Sequence, residues 1–191
     1  MAESSVASTS QQTDRNSDEI RLIRAARQNP KAFGELYKRY VEQVFKYLYS
    51  RIGNVPDAED ITAQTFLAAF ESFDRFREEK HFAAWLFSIT RNKAMDYFRT
   101  RNIATSLDNV PDAPVENDPL SAVVQSEQVS ALSDLIQSLT EEERELLRLR
   151  FLAEMSFPEI AYCLHRNEDA VKKSIYRLLA RLRNQLEVSN E

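Results

Sequence analysis

Basic residues crowd one stretch near the end of the chain at a spacing suited to a phosphate backbone. Between residues 166 and 183, Arg166, Lys172, Lys173, Arg177, Arg181 and Arg183 stand against only Glu168 and Asp169, a local net charge of +4. Val171, Ile175, Leu178, Leu179 and Leu182 recur between them at helical steps, so one helix can bury an apolar stripe and project its cations elsewhere. A second basic stretch, 88–102, sets Arg91, Lys93, Arg99 and Arg101 against Asp96. It runs through an aromatic segment with Phe82, Trp85, Phe87, Tyr97 and Phe98. Rings beside cations suit single-stranded nucleic acid, where bases stack and the cations hold the backbone. Asn92 adds an amide of the type that pairs with adenine. Each stretch also has a bland reading: a solvated basic face in the first, buried core aromatics in the second.

Other chemistry is excluded by what is missing. Cys163 is the single cysteine, so no internal disulfide and no CxxC metal site can form. His81 and His165 are far apart and lack a cysteine cluster, which argues against zinc. With only 2 glycines there is no Gly-rich phosphate loop, and no Ser/His/Asp arrangement stands out. The expectation is a binding protein rather than an enzyme, without metal or cofactor. No apolar run approaches the roughly 20 residues needed to span a bilayer, and the Ser/Thr/Gln-rich N-terminus has no signal-like core. Solubility and a cytoplasmic location are expected.

The elements that must position these residues read as helices throughout. Ser156 and Glu159 form a capping box around Pro158. A short helix to Leu164 and a second one capped by Asn167 make a helix-turn-helix, whose second helix would enter a DNA major groove. Thr140 and Glu143 form another capping box, opening a helix expected over 141–153. Upstream, helices are expected over 19–29, 31–52, 57–73 and 82–101, broken by Pro30, by Gly53-Asn54 and by a polar segment at 74–81. The third has a polar side of Asp57, Asp60, Gln64 and Glu71, which DNA would repel and a basic or amphipathic partner helix would suit. Residues 103–121 contain three prolines and excess acid and read as a linker. The fold class is all-α: a disordered tail 1–17, a helical domain 18–102, the acidic linker 103–121 and a second helical domain 122–191.

In combination these strings resemble the bacterial extracytoplasmic-function (ECF) sigma factors, small two-domain specificity subunits of RNA polymerase. "DAEDITAQTF" is similar to the family's polymerase-docking helix, "HFAAWLFSITRNKAMDYFRTR" to its promoter-melting, minus-ten-reading segment, and "LTEEERELLRLRFLAEMSFPEIAYCLHRNEDAVKKSIYRLLARLR" to its minus-thirty-five-reading domain. The resemblance implies that Asp57, Asp60, Ile61, Gln64 and Thr65 bind the clamp helices of the largest polymerase subunit. It implies that Lys80, His81, Trp85, Arg91, Asn92, Lys93 and Arg99 serve the minus-ten strand, with a base flipped into a pocket. Asn167, Lys172, Lys173, Ser174, Arg177 and Arg181 would contact the minus-thirty-five duplex. Core polymerase, duplex and single-stranded promoter DNA and an anti-sigma factor are the implied partners. The competing reading is a stand-alone helix-turn-helix regulator, which would need no docking helix. Two departures stand out. His165 occupies the turn position where the family usually has Gly, and residues 77–81 lack the family's usual Gly and Ser.

Overall fold

The apolar periodicity between residues 31 and 52 becomes the central helix of an amino-terminal bundle. The computed structural model describes residues 17–77, 81–108 and 135–189. Every regular element among the described residues is helical: α1 (17–28), α2 (Phe33–Ile52), α3 (Val55–Ser72), α4 (Phe82–Asp108), α5 (Glu141–Leu147), α6 (Phe157–Leu164) and α7 (Glu168–Ser189).

In α2, Phe33, Leu36, Tyr40, Val44, Tyr47, Leu48 and Ile52 are buried, the recurrence of one helical face. Each large apolar side chain so removed from water contributes about 1.5–3 kcal/mol. Gly53 ends the helix with φ 74°, its N–H bonded to the Tyr49 carbonyl, a left-handed position that glycine adopts without a Cβ clash. The Asn54 side chain then accepts from the Asp57 N–H and caps α3, with Pro56 in its first turn. Apart from Phe66, the buried face of α3 is small or β-branched: Ala58, Ile61, Thr62, Thr65 and Ala69. Thr62 and Thr65 donate to the carbonyls of Ala58 and Ile61 at 2.7 and 2.8 Å, so their hydroxyls can be buried without loss. Tyr40 ties α1 to α2 by donating to Glu19 at 2.6 Å, and burial pushes the Glu19 carboxyl above its ordinary range.

Aromatic rings seat α4 on this bundle. Phe82 and Phe87 are fully buried. Trp85, partly buried, meets Phe76 at 4.8 Å and Phe82 at 5.6 Å between ring centres. Phe82 and Phe87 therefore follow the core reading of the aromatics, while Trp85 keeps part of its surface exposed and packs on Phe76 and Phe82 at tilted angles. The helix also runs to Asp108, into residues expected as linker. The rest of that linker, the expected helical restart near Leu120 and the tail expected to be disordered, apart from Ser17, lie outside the described residues.

The C-terminal unit follows its caps. Both capping boxes form, at Thr140/Glu143 and Ser156/Glu159. The single helix expected over 141–153 instead stops at Leu147 and widens into a π-helical turn, Arg148–Leu152. The Ala153 N–H there reaches the Arg148 carbonyl at 2.9 Å. Such a bulge re-aims the chain toward the next helix. Asn167 caps α7, accepting from the N–H groups of Asp169 and Ala170 at 2.9 and 3.3 Å. Val171, Ile175, Leu178 and Leu182 are buried beneath it.

His165 closes α6 in the left-handed region, φ 52° and ψ 43°. The N–H of Arg166 bonds back to the Ala161 carbonyl at 2.9 Å, so the turn keeps the geometry that glycine usually supplies. A Cβ in this region costs about 1–2 kcal/mol, partly offset by the lower unfolded-state entropy of a non-Gly residue. His165→Gly is therefore expected to stabilise the fold by up to about 1 kcal/mol, read as a higher urea midpoint. A lower midpoint would mean that the exposed imidazole makes a compensating contact.

Candidate nucleic-acid interface

Three surfaces carry the residues singled out from the sequence. The first is the outer face of α3. Asp60 and Gln64 are exposed and bonded to each other at 2.8 Å. Asp57 is partly exposed and accepts from the Tyr97 hydroxyl of α4 at 2.8 Å, with Arg101 nearby at 3.7 Å. Ile61 and Thr65, 7% and 0% exposed, lie in the core of the unbound chain. The face presents Leu67 and Phe70 instead, 59% and 47% exposed. The sequence held a signal for them: apolar residues in this helix exceed what one buried face can take.

The second surface is α4. Asn92 and Arg99 are exposed and stand seven residues apart, on one side of the helix. Arg99 pairs with Asp96 at 2.9 Å, and Lys93 is half-buried. Lys80 lies outside the described residues. His81 and Arg91 turn toward the C-terminal unit. The His81 ring stacks on Tyr162 of α6, 4.8 Å between centres and 5° from parallel. Arg91 Nε donates to Glu145 of α5 at 2.7 Å.

Glu145 was missed by sequence reasoning, although it precedes Leu149 by four residues and so shares its inward face. It is 7% exposed. Besides Arg91, it accepts from the Tyr47 hydroxyl of α2 at 2.8 Å, and the Arg51 guanidinium lies 3.6 Å away. Burial, with Glu145 beside it, pushes the Tyr47 phenol well above its ordinary range, so it remains a donor. Burial likewise raises the Cys163 thiol, which makes it a poor nucleophile.

The third surface is α7. Lys173, Arg177 and Arg181 form a row at four-residue steps, exposed together with Lys172. Arg181 pairs with Glu143 at 2.7 Å. Lys172, Lys173 and Arg177 form no ion pair among the described residues. Asn167 is exposed at the start of the helix and Ser174 half-buried. This is the geometry of a recognition helix: an apolar stripe holds it and a cationic row faces out.

Comparison with known proteins joins the three surfaces. Residues 36–103 match the family model for sigma-70 region 2, and residues 130–182 match that for sigma-70 region 4. The ECF RNA polymerase sigma factor BldN of Streptomyces coelicolor is 34% identical over 175 residues, covering 87% of this chain and 66% of BldN. The RNA polymerase sigma factor NccH of Alcaligenes xylosoxydans xylosoxydans is 32% identical, covering 89% of this chain and 95% of NccH. This chain belongs to the ECF sigma factors.

Solved structures agree. CnrH in complex with the cytosolic domain of CnrY aligns with a TM-score of 0.60 at 28% identity, over 90% of this chain and 97% of that one. The sigma factor RpoE of Bartonella quintana, solved with the anti-sigma factor NepR, shares the fold with a TM-score of 0.61 at 22% identity, over 83% of this chain and 98% of that one. As a sigma factor the chain binds core RNA polymerase and promoter DNA and directs transcription initiation; it is not an enzyme, and phosphodiester chemistry belongs to the polymerase. Among the described residues no helix is long and apolar enough to cross a membrane.

Proposed function

We propose that this sigma factor divides its work among the three surfaces. The α3 face docks on the clamp helices of the largest polymerase subunit through Asp60, Gln64 and the exposed Leu67 and Phe70. Asp57 supports the docking face from behind, through Tyr97. Helix α4, with Asn92, Arg91, Lys93 and Arg99, holds the minus-ten non-template strand and supports its opening. Helix α7 reads the minus-thirty-five duplex through Lys172, Lys173 and Arg177. Residues 18–102 and 122–191 are the two working domains and 103–121 their connector. The protein acts in the cytoplasm, where the polymerase is, under an anti-sigma factor of the kind that accompanies its relatives.

The observation that carries this reading is the pairing, on one chain, of an acidic and apolar α3 face with a cationic α7 face. DNA would repel the first and attract the second, so they serve different partners. A stand-alone regulator would have no use for the α3 face. Run-off transcription with bacterial core polymerase on a pool of genomic promoter fragments tests the proposal. Discrete transcripts that require the protein are expected. Absence of transcripts, with no co-purification of core polymerase, would overturn it.

A further inference from the structure

The contact between the two units has a charged centre that uses residues assigned to DNA. Around it the packing is apolar: Ala83, Ala84 and Phe87 of α4 and Tyr47 of α2 belong to the same buried cluster as Leu146, Leu149, Met155, Ile160 and Cys163. At the centre, the Glu145 carboxylate holds Arg91 and Tyr47. The Arg91 guanidinium also reaches the Cys163 carbonyl at 3.4 Å, and Ser88 Oγ meets Cys163 Sγ at 3.8 Å. A carboxylate on an arginine uses the same fork of donors that a phosphate would use. We infer that Glu145 is an intramolecular stand-in for a DNA phosphate: it latches the C-terminal unit onto α4 and keeps the unbound sigma factor from gripping single-stranded promoter DNA. This rests on the assignment of α4 to the minus-ten strand.

The seam is also built to open. Gln43 Oε1 and His81 Nδ1 are buried there without a hydrogen-bond partner among the described residues. Opening returns both to water. A cavity of about 790 Å³, lined in part by Glu19, Arg39, Gln43, His81 and Glu159, interrupts the packing along the same seam. Arg91 is thus held by a few specific bonds at the centre of an apolar seam that this cavity interrupts. While closed, the latch lowers the apparent affinity for single-stranded DNA by the fraction of molecules that are open.

A cross-link tests the latch. Ser88→Cys places a thiol opposite Cys163, and neither residue is assigned to DNA or polymerase. Mild oxidation is expected to join the two across the seam. The oxidised protein should lose run-off transcription and binding to a fluorescein-labelled random-sequence single-stranded oligonucleotide, and dithiothreitol should restore both. Undiminished activity of the cross-linked protein would overturn the latch. Should that variant not fold, or its buried thiols not react, Glu145→Gln decides: release is expected to tighten oligonucleotide binding about tenfold, and wild-type affinity would overturn the proposal. Failure of the reduced variant and of wild type alike to transcribe would instead overturn the functional assignment.

Discussion

Replacing Lys173 and Arg177 together with alanine is expected to remove most promoter recognition while leaving core polymerase binding intact. The two side chains stand four residues apart on the exposed side of α7, above Val171, Ile175 and Leu178, which bury the opposite stripe. Neither is paired among the described residues, so neither must break a bond before meeting DNA. A bidentate contact to a base edge is worth about 1–3 kcal/mol of discrimination, roughly tenfold to a hundredfold in affinity per residue. A contact to phosphate weakens all sequences alike and takes about one from the salt slope. Titrating holoenzyme onto a promoter fragment at several salt concentrations separates the two. Arg181→Ala should cost less, because its guanidinium already pairs with Glu143 at 2.7 Å. Loss of core binding in the double variant would mean that the surfaces do not work separately.

The contrast between Arg177 and Arg91 shows what the sequence could and could not disclose. The exposed place of Arg177 was legible because it depends on local order: a capped helix, a buried stripe and a cation outside it. The helix starts at Thr140, Ser156 and Asn167 were legible for the same reason, since a cap is decided within a few residues, whereas Asn54 was read only as part of a turn and caps a helix that begins at Val55. Arg91 has equally suggestive neighbours along α4, yet its partner is Glu145, 54 residues away in sequence, and no local pattern encodes that pairing. Trp85 shows a different limit. An aromatic beside cations reads alike whether its ring faces solvent or Phe76, and only tertiary packing decides. The π-helical turn after Leu147 was invisible because Leu146, Leu149 and Leu152, with Arg148 and Arg150 between them, suit a continuous helix equally well. The family resemblance implied docking by Ile61 and Thr65, which the fold buries; in their place we propose the exposed Leu67 and Phe70 of the same helix.

That reassignment leads to the second large effect. Asp60→Arg and Leu67→Arg should each lower affinity for core polymerase at least about a hundredfold, without changing the helical circular dichroism or the unfolding midpoint. Asp60 is exposed, and its carboxylate is bonded only to Gln64, on the next turn, among the described residues. Reversing its charge sets like charges against a basic partner, which costs several kcal/mol at a docked interface. Leu67, 59% exposed with the exposed Phe70 three residues further along the helix, can fill an apolar pocket at the centre of such an interface. Loss of a central anchor of this kind costs 2 kcal/mol or more, and a guanidinium there adds an unpaired buried charge. Ile61→Ala provides the opposite control. Its side chain is core, so about 2–5 kcal/mol of stability should be lost, and any loss of polymerase binding should follow the unfolded fraction. Pull-down on tagged core polymerase, with thermal unfolding run on the same samples, sorts the three. If Leu67→Arg still binds like wild type while Ile61→Ala loses binding without losing stability, the partner meets the other side of α3, and the docking face must be reassigned to the side that the fold buries.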